Sequence, residues 1–282
     1  MKMKLVFFEY QGKVRSGEVI GNDIIEMESV NKEPKGGSYD IRSVKILPVQ
    51  TASIFCVLVN SYKMLGASSK QEGKEMLGTP KFFIKLPSIV VGNGDIVYAP
   101  KSGIRPEVEI GIIIKEKLRN INSGKIQDYI LGYTVFNDVT APGEASKDWY
   151  YARRRDPNDG VVKRMIVRGA HFRNKNRDTF AVLGSIITTP DEVKLDRLRM
   201  MSIYDNKVIQ DSTTDEFIFS PEEIIRELST ILTIPQLSVI TTGTVGYSGA
   251  EDTSEYKLEA KSTTMEVHVE RIGSLVNPVK VI

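Results

Sequence analysis

The stretch 105–114, RPEVEIGIII, constrains the fold more than any other part of the chain. From 110 onward it is apolar on both sides of a strand, because successive side chains point to opposite faces. Val108, Ile110, Ile112 and Ile114 share one face; Glu107, Glu109, Gly111 and Ile113 share the other. A run like this belongs inside a sheet, and it carries two acids in with it. The two glutamates stand about 6–7 Å apart along a strand. Burying either one unpaired is costly, and two like charges there repel. Something positive must sit between them, either Lys or Arg side chains or a metal ion.

The rest of the chain bounds the class of protein. It has 282 residues, 41% hydrophobic and 26% charged, as expected of an ordinary globular protein large enough for one big domain or a small one plus a larger one. A net charge of +2 gives no electrostatic support to a nucleic-acid or acidic-membrane partner. The single cysteine, Cys56, makes neither an internal disulfide nor a cysteine zinc site. In SIFCVLV it reads as a buried small hydrophobe and fits a reducing cytoplasm. The start, MKMKLVFFEY, has an apolar stretch that is short and broken by Glu9, so neither a signal peptide nor a membrane span is expected.

KLVFFEY, KVRSGEVI and DIIEM read as a small β meander. The polar VNKEPKGGSYD reads as a linker, which places a small N-terminal β domain with its linker at 1–43 and the main body at 44–282. In the body, SIFCVLV, KFFIKLP, DIVYAP, LSVITTGTVG and TMEVHVERIG are strands, the last with Met265, Val267 and Val269 inward. SYKMLGASSKQEGKEMLG reads as a mobile loop or broken helix, of a length that often serves function. SGKIQDYILGYTVFNDVTA reads as a short helix running into a strand. SPEEIIRELSTIL is the clearest helix, with Ser220 as N-cap, Glu223 completing a capping box, and Ile224, Ile225, Leu228, Ile231 and Leu232 on one face. Strands outnumber helices without regular alternation, which predicts a β-rich α+β fold and not a doubly wound sheet.

Asp138 ends a second apolar strand, where it could converge with Glu107 and Glu109. Three carboxylates make a hard oxygen site suited to magnesium, manganese or calcium. The plainer alternative is separate ion pairs with Arg105 and Lys115. Lys175 and Thr179 lie in HFRNKNRDTFAVLG, where a cationic stretch is either a solvated face or a source of one inward lysine. In TTGTVG, Gly243 and Thr244 offer backbone N–H and hydroxyl donors to an anion, or simply turn a hairpin. Of two histidines, His268 alternates outward, and His171 lies four residues before Lys175.

In order and spacing, the blocks PKFFIKLPSIVVGNGDIVYAP, RPEVEIGIII, YILGYTVFNDVTA, RNKNRDTFAVLGSIITTPDEV, DSTTDEFIFSPEEII, VITTGTVG and VERIGSLVNPV resemble the fumarylacetoacetate hydrolase family, from about Ile54 to the C-terminus. The meander also looks like the small domain many members carry. The resemblance implies a mixed β-roll body, a homodimer, and a divalent metal, commonly magnesium. It implies Glu107, Glu109 and Asp138 as metal ligands and Lys175 as active-site lysine, with Thr179 in the same block. It implies a substrate-carboxylate contact for Thr244 and a place on the strand toward the site for Lys85. The implied substrate is a small 2-oxo acid, whose enolate the metal stabilises.

Two departures from the family pattern affect the chemistry. The lid histidine of N-Y-x-x-H falls near Met64 in NSYKML, leaving Glu72, Glu75 or His171 to activate water. In D-x-[ST]-A-R-D, Pro142 replaces the arginine, and an insertion over 147–169 brings Arg153, Arg154 and Arg155, either as a positive charge from a different direction or as a solvated run. Three functions follow: a C–C bond hydrolase of an acylpyruvate-like substrate; a dehydratase of a 2-keto-3-deoxy sugar acid or an isomerase of a hydroxy-diene diacid; and a non-catalytic metal binder.

Overall fold

Alternating apolar residues in the first thirty positions build an antiparallel meander of β1 (Lys4–Tyr10), β2 (Lys13–Ile20) and β3 (Asp23–Met27). The computed structural model describes residues 3–30, 32–121, 126–169, 171–248 and 256–282. In it, most of the expected linker is a fourth strand, β4 (Pro34–Asp40), paired with β3. It lies at the end of the sheet, where a proline without an N–H and two glycines are tolerated. The polar composition therefore marks an edge strand, with residue 31 of that stretch outside the described residues. β5 (Lys45–Leu47) pairs back onto β1.

The body continues with β6 (Ile54–Val57), α1 (Lys70–Leu77), β7 (Phe82–Lys85), β8 (Val90–Val91) and β9 (Val97–Ala99). The stretch expected as a mobile loop or broken helix thus contains a helix. Its first turn is capped by Ser69, which accepts from the Glu72 N–H at 3.2 Å, and Gly78 at φ +70 ends it. Next come β10 (Val108–Ile114) and β11 (Ile130–Asp138). Only a 3-10 turn, Ile126–Tyr129, stands where a short helix was expected; positions 123–125 lie outside the described residues. The 147–169 insertion forms a hairpin of β12 (Tyr150–Arg155) and β13 (Val162–Val167). One-turn helix α2 (Phe172–Lys175) follows, then β14 (Ala181–Leu183), β15 (Ile186–Thr188), β16 (Arg199–Tyr204) and β17 (Lys207–Thr213). The chain closes with α3 (Pro221–Ile231), β18 (Val239–Thr241), β19 (Thr264–Val269) and β20 (Gly273–Val281).

Ten strands of a 13-stranded sheet run β4-β3-β2-β1-β15-β11-β10-β18-β6-β7, and β5, β8 and β14 attach beside this path. β10 lies between β11 and β18, which is why every residue of it is buried and why it needs no polar face. A second sheet runs β17-β16-β19-β20-β9, with Met265, Val267 and Val269 buried as alternation predicts. α3 has the full capping box between Ser220 and Glu223, an arrangement that contributes about 1 kcal/mol. It buries Ile224, Ile225 and Leu228, whereas Ile231, expected on that face, is exposed at the last turn. Among the described residues no helix is long and apolar enough to cross a membrane.

Candidate active site

Glu107 immediately precedes β10, Glu109 lies on it, and Asp138 is the last residue of β11. Pairing of the two strands, closed by the Asp138 N–H donating to Glu107 O at 2.9 Å, brings the three side chains together. One carboxylate oxygen from each lies within 4.8 Å of the others, and all three residues are at most 4% exposed.

Three cations face them. Arg105 Nε donates to Glu107 Oε1 at 2.8 Å. Lys175 Nζ, on α2, donates to Glu107 Oε2 at 2.7 Å and to Asp138 Oδ2 at 2.5 Å. Lys85 Nζ, at the end of β7, lies 2.7 Å from Asp138 Oδ1 and donates to Val139 O at 2.8 Å and Phe180 O at 2.5 Å. The acids converge, and lysine and arginine side chains supply positive charge beside them. Lys115, the other candidate partner, is exposed.

The charges are unevenly satisfied. Burial alone would raise Glu107, but the charges of Lys175 and Arg105 hold its carboxyl down at about 2. Burial opposes the Lys175 ammonium, yet Asp138 and Glu107 beside it drive its pKa up. Burial lowers Lys85 against the pull of Asp138. Glu109 is pushed well above the carboxylate range, by burial first and then by the charge of Asp138. Among the described residues no lysine or arginine pairs with Glu109; its Oε2 accepts the Gly243 N–H at 3.1 Å.

That N–H comes from the loop after β18, where Gly243 adopts φ +77. A Cβ there would meet Asn60 Cβ at 2.9 Å, so the position requires glycine. Thr244 Oγ1 donates to Val108 O at 2.8 Å and accepts from Gln210 Nε2 at 2.8 Å. Gln210, Asn60 and Glu216 are the residues that sequence reasoning missed. Gln210 also accepts from Val108 N at 3.1 Å, tying β17 to the acid-bearing strand. Fully buried Asn60 joins Phe219 N and O and Thr242 O across the sheet. Glu216 accepts from Ser61 Oγ at 2.7 Å, Lys63 Nζ at 2.9 Å, Gly246 N at 2.9 Å and Ser212 Oγ, so it joins the segment after β6 to the glycine loop. Their sequence surroundings carried no signal: Gln210 and Glu216 flank the polar run DSTTD, and Asn60 opens the polar NSYK.

Of the other candidates, His171 shares the Phe83 ring with Lys175, while Thr179, Glu72, Glu75, Arg154 and His268 lie outside the acid cluster. Thr179, at φ +69, turns its hydroxyl to accept from Tyr98 N at 2.9 Å. The Glu72 carboxylate is exposed and held by the Ser68 N–H and hydroxyl at 2.6 and 2.5 Å. Glu75 pairs with Gln71 at 2.9 Å. Arg154 is exposed on the hairpin, opposite Lys163. His268 bonds Ser274 Oγ at 2.5 Å on the second sheet. His171, at φ +59, packs on Phe83 at 6.5 Å between ring centres, and Lys175 Nζ sits 5.0 Å from the centre of the same ring. Burial first, then the Lys175 charge, lower the His171 pKa. A cavity of about 850 Å³ between α1 and the start of α3 shares none of the acid-cluster residues.

The donor set fits a hard dication. All three groups are carboxylates, Glu109 has no cation partner among the described residues, and Asp138 Oδ1 is buried with no hydrogen bond although it faces Lys85.

Residues 53–280 match the model of the fumarylacetoacetate (FAA) hydrolase C-terminal family. A relative from Archaeoglobus fulgidus, named only as an uncharacterized protein, is 32% identical over 200 residues, covering 70% of this chain and 68% of its own. A fumarylacetoacetate hydrolase domain-containing protein 2 homolog from Dictyostelium discoideum is 27% identical over 244 residues, 83% of this chain and 73% of that one. The 2-hydroxyhepta-2,4-diene-1,7-dioate isomerase of Mycobacterium marinum shares the fold at TM-score 0.75 and 22% identity, covering 99% of this chain and 98% of that one. So does maleylpyruvate hydrolase from Sphingobium sp. SYK-6, solved with manganese(II) and pyruvate, at TM-score 0.68 and 20% identity, covering 100% and 99%.

Proposed function

Because the chain belongs to the fumarylacetoacetate hydrolase family and is an enzyme of that family's fold, we propose that it acts on a small 2-oxo acid with a divalent metal, breaking a C–C bond of an acylpyruvate-like substrate by hydrolysis. The observation that carries this reading is the buried trio of Glu107, Glu109 and Asp138 with ligand oxygens within 4.8 Å. These residues would hold the ion, magnesium first, with manganese or calcium as alternatives. Such an ion, when bound, supplies positive charge to a chelating carboxylate and keto oxygen and offsets the negative charge that develops as the substrate enolises.

The chain's own residues then have distinct tasks. Lys85 and Arg105 anchor Asp138 and Glu107 from behind. Gly243 aims Glu109, and Gln210 and Thr244 hold the start of β10 in register. Lys175 uses two of its three N–H donors on the acids, leaving one to bind or protonate substrate. For water activation, His171 is the better-supported group. Its lowered pKa keeps the imidazole neutral and able to accept a proton at neutral pH, while Glu72 is already committed to Ser68.

That commitment also favours a second reading: isomerisation of a 2-hydroxy-diene dioate or dehydration of a 2-keto-3-deoxy sugar acid needs no hydrolytic water. The isomerase from M. marinum has the same fold. A magnesium-supplemented screen of acylpyruvates, oxaloacetate, hydroxy-diene diacids and 2-keto-3-deoxy sugar acids separates the readings. Metal-dependent turnover of the first two supports hydrolytic or related C–C cleavage; turnover of the others supports the second reading. Metal binding with no turnover would leave a non-catalytic binder. The reading includes a homodimer in a reducing cytoplasm, and sedimentation tests the dimer.

A further inference from the structure

The oxygens of the acid cluster are divided among its cations in a particular way. Glu107 Oε1 belongs to Arg105 and Asp138 Oδ1 to Lys85. The other oxygen of each of these two acids, Glu107 Oε2 and Asp138 Oδ2, is held by the single ammonium of Lys175, at 2.7 and 2.5 Å. The two lysines differ in freedom. Lys85 has a fully buried side chain, donates to Val139 O and Phe180 O, and lies 2.7 Å from Asp138 Oδ1 as an ion pair, so its ammonium is enclosed on three sides by oxygens. Lys175 has two oxygen partners, an aromatic ring 5.0 Å away, and a side chain 6% exposed. Lys85 is a fixed counter-ion, and Lys175 is the cation that can move.

We propose that Lys175 and a dication compete for Glu107 Oε2 and Asp138 Oδ2, so that metal and anionic substrate bind cooperatively through the released ammonium. The inference rests on the metal reading above and goes beyond it to the regulation of the site. Three carboxylates and three cations cancel when all are ionised. A dication added to that set leaves two uncompensated positive charges in a buried site, the released ammonium counted among them. An anionic ligand offsets both, so metal alone binds weakly and metal with ligand binds well. Linkage makes the effect reciprocal: the metal tightens the anion by the same factor.

The test is manganese(II) titration by calorimetry, with and without oxalate as a non-reacting 2-oxo acid mimic, on the wild type and on Lys175→Met, each checked for fold by circular dichroism. The expected result for the wild type is manganese affinity at least tenfold tighter with oxalate. Lys175→Met is expected to bind manganese alone at least tenfold more tightly than the wild type, with the oxalate effect reduced below threefold. If Lys175→Met misfolds, Lys175→Gln replaces it, and the wild-type oxalate effect decides independently: less than tenfold overturns the coupling. A variant whose affinity for manganese alone rises by less than tenfold overturns the competition while leaving the metal site standing. No manganese binding by wild type or variant, with or without oxalate, overturns the metal reading together with this inference.

Discussion

Glu26 and Glu109 are two buried strand glutamates, 7% and 1% exposed, with opposite surroundings. Arg15 Nη1 reaches both oxygens of Glu26 at 2.8 Å, and the Tyr39 hydroxyl donates to Oε2 at 2.8 Å. Burial alone would raise this carboxyl, but the bonds from Tyr39 and Arg15 bring it below its usual value. Glu109 accepts one backbone N–H, has no paired cation among the described residues, and is raised by burial and by Asp138. The first acid is complete within its own sheet and holds the meander together. The second is left in deficit by its surroundings, as a metal ligand is before the metal arrives. Burial of an acid thus says little until its oxygens are assigned partners.

Several substitutions break or sharpen that contrast. The largest effect is expected from Lys175→Ala, which lowers turnover of the best 2-oxo acid about a thousandfold, in the range for loss of a proton-transferring group. Near-normal kcat would remove Lys175 from the chemistry. Glu109→Gln should weaken manganese(II) binding about 100-fold, about 2.7 kcal/mol, in a protein that still folds. Calorimetry with circular dichroism checks both halves, and loss of fold would make Glu109 structural like Glu26. The same Glu→Gln change should act with opposite sign on metal-free stability at the two sites. At Glu26 it costs about 2 kcal/mol, because charge-assisted bonds are lost. At Glu109 it stabilises by up to about 1 kcal/mol at a pH high enough to ionise the acid, because a poorly compensated buried carboxylate becomes a neutral amide. Urea unfolding without metal reads both, and equal signs would erase the distinction.

The smallest effect is a pH dependence. Burial of Glu216 would raise its pKa, but bonds from Ser212, Gly246, Lys63 and Ser61 lower it below its usual value. A depressed carboxyl contributes its stability above the unfolded pKa, about 4.3, and loses it as pH falls through the folded value. Glu216→Gln should therefore cost about 1 kcal/mol at neutral pH, and the gap should close as pH drops below about 4. A gap that stays constant on acidification would show that Glu216 acts by packing and not by charge.

Much of this molecule was legible in the residues. The apolar run around Ile112 required an interior strand, Ser220 and Glu223 announced a helix start, and alternation placed Met265, Val267 and Val269 inward. Such features depend on neighbours within a few positions. The polar stretch over 30–40 was misleading because edge strands tolerate the same proline and glycines that linkers use. Thr179 and Glu72 looked suited to chemistry by type and block, yet their oxygens are engaged with Tyr98 and Ser68.

Residue type and strand periodicity were enough to put two acids inside a sheet and to demand positive charge beside them. Which charge, and on which oxygen, depended on the folded chain. Lys175 is 68 residues from Glu107 and 37 from Asp138, and Lys85 is 54 from Val139. No local periodicity carries information over such separations. Strand order and helix placement chose which ammonium is locked and which is free to yield.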